Sequence, residues 1–168
     1  MNFIEFYKVL STVTLYMEIN SLAPDFSLSG SDGNIHKLSD YKGKKIVLYF
    51  YPKDNTPGCT NEACDFRDHY NEIGDYNAIV LGVSRDSLSS HEKFINKLGL
   101  PFILLSDSNE EVCKIYDVIK EKNMYGKKVL GIERSTFIID ENGVLVKEFR
   151  KVKVKEHISE VLEVLKSI

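Results

Sequence analysis

The stretch Lys44-Lys45-Ile46-Val47-Leu48-Tyr49-Phe50-Tyr51-Pro52-Lys53-Asp54-Asn55-Thr56-Pro57-Gly58-Cys59 decides the fold. Residues 46–51 are an unbroken apolar run between a lysine pair and a proline, with no polar alternation. Such a run fits a strand buried on both faces in the middle of a sheet. A corner follows. Thr56 suits a helix N-cap and Pro57 the first helical position, so Gly58 falls second and Cys59 third. The segment therefore predicts a core strand that turns into a helix carrying a cysteine in its first turn.

Elements of alternating type extend on both sides. Upstream, residues 24–37 read as a hairpin in which Phe26, Leu28 and Ile35 alternate with polar residues around an Asp32-Gly33 turn. Downstream, 57–74 has helical character, 78–83 is an apolar strand, and 87–98 is a helix stopped by Gly99. A strand at 102–105, a helix at 109–116, a hairpin of 136–139 with 144–149 across Glu141-Asn142-Gly143, and an amphipathic helix at 155–166 complete the series. The lysine-rich stretch 120–128 reads as a solvated loop. This order predicts an α/β fold, a three-layer sandwich with a central mixed β-sheet flanked by helices, and it resembles the thioredoxin fold. One domain is expected over 17–168, preceded by an extension at 1–16 outside that core.

Composition narrows the function. Twenty-two Lys and Arg against 25 Asp and Glu leave a net charge of -3, so no general attraction draws the chain to nucleic acid or an anionic membrane. No apolar run reaches the roughly 18 residues that a membrane span needs. Residues 1–16 place Phe3, Phe6, Tyr7 and Leu10 at helix-like spacing but lack a basic opening and a small-residue cleavage site, so a secretory signal is not expected. Three cysteines, an odd number, suit chemistry or packing better than structural cross-links, and the cytoplasm is the expected compartment.

The chemistry centres on the corner. At the third helical position a capping box would hold a carboxylate; here a thiol stands in its place. Unpaired N–H groups and the positive end of the helix dipole favour the thiolate, which is the nucleophilic form. Gly58 removes a side chain beside the sulfur and lets a small substrate approach the backbone. The competing reading of Cys59 is a small buried apolar residue. Cys64 lies five residues on. An ideal helix puts their Cα atoms about 8.5 Å apart, beyond the about 7 Å that a disulfide tolerates. If the two ever join, the first turns must unwind; otherwise Cys64 is a core residue.

Pro52-Lys53-Asp54, Thr56-Pro57-Gly58-Cys59-Thr60, Glu62-Ala63-Cys64 and Phe66-Arg67-Asp68 together closely resemble peroxiredoxins of the bacterioferritin comigratory protein, or peroxiredoxin Q, subfamily. The likeness runs from Met17-Glu18 and Leu22-Ala23-Pro24-Asp25-Phe26 through Leu105-Ser106-Asp107, Tyr125-Gly126-Lys127-Lys128, Gly131-Ile132 and Arg134-Ser135-Thr136-Phe137-Ile138-Ile139-Asp140. It implies a thiol-dependent peroxidase of hydrogen peroxide and alkyl hydroperoxides. Cys59 would be the peroxidatic cysteine, Cys64 the resolving one through an intramolecular disulfide, Thr56 a hydroxyl ligand of the peroxide, Pro52 a shield over the pocket, and Arg134 a cation at the sulfur. Arg134 precedes an apolar strand, which is compatible with a place at the sheet's end facing the helix terminus. Thioredoxin or a similar dithiol protein would recycle the disulfide, and no metal, flavin, haem or other cofactor is implied. A monomer or weak homodimer is expected. The segment before Met17 departs from the family pattern, and initiation at Met17 is the favoured account of it.

Cys113, with Val112, Ile115 and Tyr116 beside it, reads as a packed core thiol, with resolution as its minority role. His36, His69, His91 and His157 are scattered without ligand spacing and read as solvated or locally bonded. Two rivals on the same fold are a thioredoxin-like disulfide oxidoreductase, whose cysteines would have two residues between them rather than four, and a non-catalytic binding module, which would not need Thr56, Cys59 and Arg134 together. A copper-binding assembly factor would want a histidine where Arg134 stands.

Overall fold

The computed structural model describes residues 17–168; the expectations for 1–16, including initiation at Met17, lie outside the described residues. At the centre is β3 (Lys45–Phe50), all six residues buried. Its side chains alternate between two cores. Ile46, Leu48 and Phe50 join Tyr116, Phe137 and Leu145 on one face, while Val47 and Tyr49, with Tyr51 just beyond, join Phe66, Phe94 and Val161 on the other. Burying each such side chain stabilises by roughly 1.5–3 kcal/mol, and two dry faces favour an apolar run; Lys45 at its start is the exception, its Nζ donating to the Ile168 carbonyl at 2.9 Å.

Parallel to β3 run β4 (Ala78–Ser84) and, beyond it, β5 (Ile103–Ser106). On the other side β8 (Ser135–Ile139) is antiparallel to β3, and β9 (Leu145–Phe149) is antiparallel to β8. The hairpin of β1 (Ser27–Gly30) and β2 (Ile35–Lys37) pairs with β5, giving a seven-stranded mixed sheet in the order β2-β1-β5-β4-β3-β8-β9. Helices α1 (Pro57–Asp68), α2 (Tyr70–Asp75), α3 (Leu88–Leu98) and α5 (Val154–Ser167) contribute to the core that holds Tyr49; α4 (Glu111–Ile115) contributes Val112 and Cys113 to the opposite one. The expected sandwich is thus present, with strand ends within one residue of expectation for β3, β4, β5, β8 and β9. The stop at Gly99 has the left-handed φ of 64° that favours glycine.

Two local expectations are corrected and one element is new. The helix expected over 57–74 breaks at His69, whose ring Nδ1 bonds the Asp65 carbonyl at 2.9 Å and competes with the backbone ladder. The stretch 120–128 is not a loop: β6 (Ile119–Met124) pairs with β7 (Lys127–Ile132) across a two-residue turn in which Tyr125 and Gly126 both have positive φ. A 3-10 turn at Leu38–Tyr41 was not anticipated. Among the described residues no helix is long and apolar enough to cross a membrane.

Candidate active site

The carboxyl end of β3 delivers Pro52 to Thr56 past the end of the central strand, and α1 starts there. Thr56 has extended backbone (φ -97°, ψ 154°) with Pro57 at the first helical position, so Cys59 is third as expected. Its cap differs from expectation. The Thr56 hydroxyl donates to the Lys53 carbonyl at 2.9 Å instead of accepting from the helix, while its carbonyl accepts from Thr60 N–H. The Gly58 and Cys59 amides have no acceptor among the described residues. They remain available at the positive end of the helix dipole.

Cys59 is buried at 2% exposure. Arg134, the residue before β8, donates from Nη2 to Cys59 Sγ at 3.3 Å and from Nη1 to Glu62 Oε1 at 2.8 Å. One guanidinium therefore spans the sulfur and a carboxylate one turn further along α1. Gly58 has a different use from the one expected: a Cβ there would stand 3.2 Å from Arg134 Nη2, so the missing side chain admits the arginine. Glu62 is itself buried; burial pushes its carboxyl up to about 7 against the opposing pull of Arg134. Its Oε2 and the Tyr49 hydroxyl are buried without a hydrogen-bond partner among the described residues.

Cys64 is partly exposed on the same unbroken helix, and the three cysteines are unpaired. Cys113 is fully buried, and burial with the Asp107 carboxylate pushes its thiol strongly up. Pro52 is partly exposed at the start of the corner. The structure thus brings Cys59 and Arg134 into contact, puts Thr56 one turn upstream, and keeps Cys64 on the same helix and Cys113 in the opposite core.

Two features escaped the sequence reading. Glu62 sits inside the quoted motif, three residues after Cys59, and that helical spacing was the available signal for its role. The histidines are less solvated than expected: His36, His91 and His157 are buried. His157 bonds Thr136 Oγ1 at 2.7 Å, and burial, reinforced by Arg134, depresses its ring to about 4. His91 joins Asp54 and Asp86 in a cluster whose donor atoms lie within 4.8 Å of one another. These atoms are already bonded within the protein, Asp54 to His91 and Asp86 to Ser84.

Residues 19–148 match the model of the AhpC/TSA family. Peroxiredoxin Bcp of Bacillus subtilis is 55% identical over 152 residues, covering 90% of this chain and 97% of the relative. A solved structure of the Xanthomonas campestris bacterioferritin comigratory protein, from trapped intermediate and ligand complexes bearing on its alkyl peroxide reduction activity, is similar with a TM-score of 0.81 and 51% identity, covering 84% of this chain and 90% of that one. A mutant peroxiredoxin Q of Xylella fastidiosa has a TM-score of 0.85 and 46% identity, covering 90% and 97%.

Proposed function

The chain belongs to the AhpC/TSA family, as a peroxiredoxin of the Bcp or Q type with the thioredoxin-like fold, and from this premise we propose that its peroxidase chemistry runs through Cys59 and Cys64. The Cys59 thiolate attacks the distal oxygen of a hydroperoxide, the O–O bond breaks, and the leaving oxygen takes a proton to become water or an alcohol. The sulfur is left as a sulfenic acid. Cys64 thiolate then attacks that sulfur and hydroxide leaves as water, forming an intramolecular disulfide. Thioredoxin or a similar dithiol protein returns both cysteines to thiols by exchange, itself becoming a disulfide.

The observation that carries this reading is the 3.3 Å contact between Arg134 Nη2 and Cys59 Sγ. A fixed cation stabilises the thiolate and then the charge that develops as the O–O bond opens, in a site shielded from water. Thr56 serves as a hydroxyl ligand to the peroxide and Pro52 as a shield beside it. Hydrogen peroxide and alkyl hydroperoxides are the proposed substrates, the latter supported by the activity named for the Xanthomonas campestris relative. Cys64 is favoured as resolver because Cys113 is wholly buried. We also place the protein in the cytoplasm, as a monomer or weak homodimer.

Replacing Cys59 with Ser should abolish peroxide consumption under thioredoxin recycling, and survival of most activity would overturn the assignment. Cys64→Ser should spare the first oxidation and stop disulfide formation. Full thioredoxin-linked turnover in that variant would move resolution to Cys113.

A further inference from the structure

Asp54 lies five residues before Cys59 in the loop between β3 and α1, and it is 6% exposed. Tyr51 Oη donates to its Oδ1 at 2.6 Å, and Ser90 Oγ donates to its Oδ2 at 2.8 Å. His91 Nδ1 lies 2.7 Å from the same Oδ2, and the other ring nitrogen lies 3.0 Å from the Leu105 carbonyl. A carbonyl only accepts, so Nε2 carries a hydrogen. Burial pushes the Asp54 carboxyl up, but hydrogen bonds from His91 and Tyr51 overcome that effect and hold it below the ordinary range. The two residues form a buried hydrogen-bonded pair with no exposure at the histidine.

The pair is tied to the sheet. Asp54 N–H donates to Asp86 Oδ2 at 2.8 Å, and Ser84 Oγ donates to the same oxygen at 2.7 Å. The loop is thereby fastened at once to the end of β4, to the first turn of α3 and to β5. Fully satisfied buried networks of this kind specify one geometry. Only residues 55–58 separate this fixed point from the reacting sulfur.

We propose that Asp54 and His91 are positioning residues that hold the Thr56–Cys59 corner in the peroxide-reactive shape and resist its unwinding toward Cys64; this rests on the peroxidase reading of Cys59. The network acts on two steps in opposite senses. Peroxide attack needs the sulfur kept at Arg134 and the first-turn amides. Disulfide formation needs α1 to open, and a chain pinned at Asp54 has four residues of slack with which to do so. A loosened pin therefore slows the first step and speeds the second.

The test is rapid-quench mass spectrometry of the full chain, following Cys59 oxidation by hydrogen peroxide and then appearance of the Cys59–Cys64 disulfide. Asp54→Asn and His91→Gln should each slow oxidation about tenfold and accelerate disulfide formation about threefold, as expected for lost preorganisation. The double variant should be no worse than the weaker single one, because both remove the same pair. Leu145→Ala, in the opposite core and matched in melting temperature, should leave both rates within about twofold. Should Asp54→Asn fail to fold, Tyr51→Phe removes only one donor and should move both rates the same way by smaller factors. Unchanged rates, rates that fall together, or the same split in Leu145→Ala would overturn the proposal. Wild-type protein that forms no Cys59 sulfenic acid would instead strike the peroxidase reading, so the two failures are told apart.

Discussion

At the scale of single residues the sulfur's surroundings depend on what is missing at Gly58 and what is buried at Glu62. Gly58→Ala would place a methyl 3.2 Å from Arg134 Nη2 on a helix that otherwise prefers alanine. The fold should gain slightly while peroxide oxidation of Cys59 slows about tenfold, a split read by thermal melting and rapid-quench kinetics. Glu62 gives a pH signature. Its carboxyl titrates near 7 when folded against an ordinary 4.5, so the folded state holds the proton more tightly. The Glu62 contribution to stability is therefore greatest below about 4.5 and is lost as pH rises through 7, by at most about 3 kcal/mol at about 1.4 kcal/mol per pH unit. Melting of the wild type relative to Glu62→Gln should fall from pH 4.5 to 8, a difference that cancels the opposing rise from His157, whose depressed ring both proteins share; a difference that does not change with pH would refute it. Cys59 stood out in the sequence because Thr-Pro-Gly before it has a fixed meaning at a helix start. Glu62 and Asp54 did not, because their roles come from partners 72 and 37 positions away.

At the scale of elements, the helix that carries both site cysteines is the part that must change. Helix α1 is unbroken from Pro57 to Asp68, and residues five apart on such a helix cannot be bridged without unwinding. Asn61 is exposed between the two cysteines and is a poor helix former. Asn61→Ala should stabilise the helix by about 0.6 kcal/mol, which converts to roughly threefold slower disulfide formation if opening precedes bonding. Peroxide oxidation should stay unchanged, and a disulfide that forms as fast as in the wild type would show that unwinding does not limit the step. The start of the helix was legible from Thr56-Pro57, but its end at His69 was not, since a ring bonding the preceding turn leaves no mark in the pattern. Hairpin β6–β7 was hidden for another reason. Most of its side chains are exposed, so neither face carries an apolar stripe, and its left-handed turn uses Tyr125 beside Gly126 where Asn would have signalled it.

At the scale of the whole molecule, the central sheet was readable because β3 and β8 are dry on both faces and favour apolar runs, with Lys45 at the start of β3 and Ser135 and Thr136 next to the site as the buried exceptions. The boundary of the folding unit rests on weaker marks, and we place it at Met17. Met17 packs partly buried against the core. Beyond it, Asn20 N–H donates to the Leu145 carbonyl, Leu145 N–H to the Ser21 carbonyl and Ala23 N–H to the Gly143 carbonyl, lacing 20–23 to the start of β9. A chain beginning at Met17 keeps all of these and should melt and consume peroxide as the full chain does. A chain beginning at Asp25 loses three backbone hydrogen bonds near buried strands, worth about 3 kcal/mol together, and should melt roughly 6–12 °C lower. Thermal melting and peroxide consumption of the three lengths decide the matter: a Met17 chain that melts as low as the Asp25 chain would place residues 1–16 inside the folding unit.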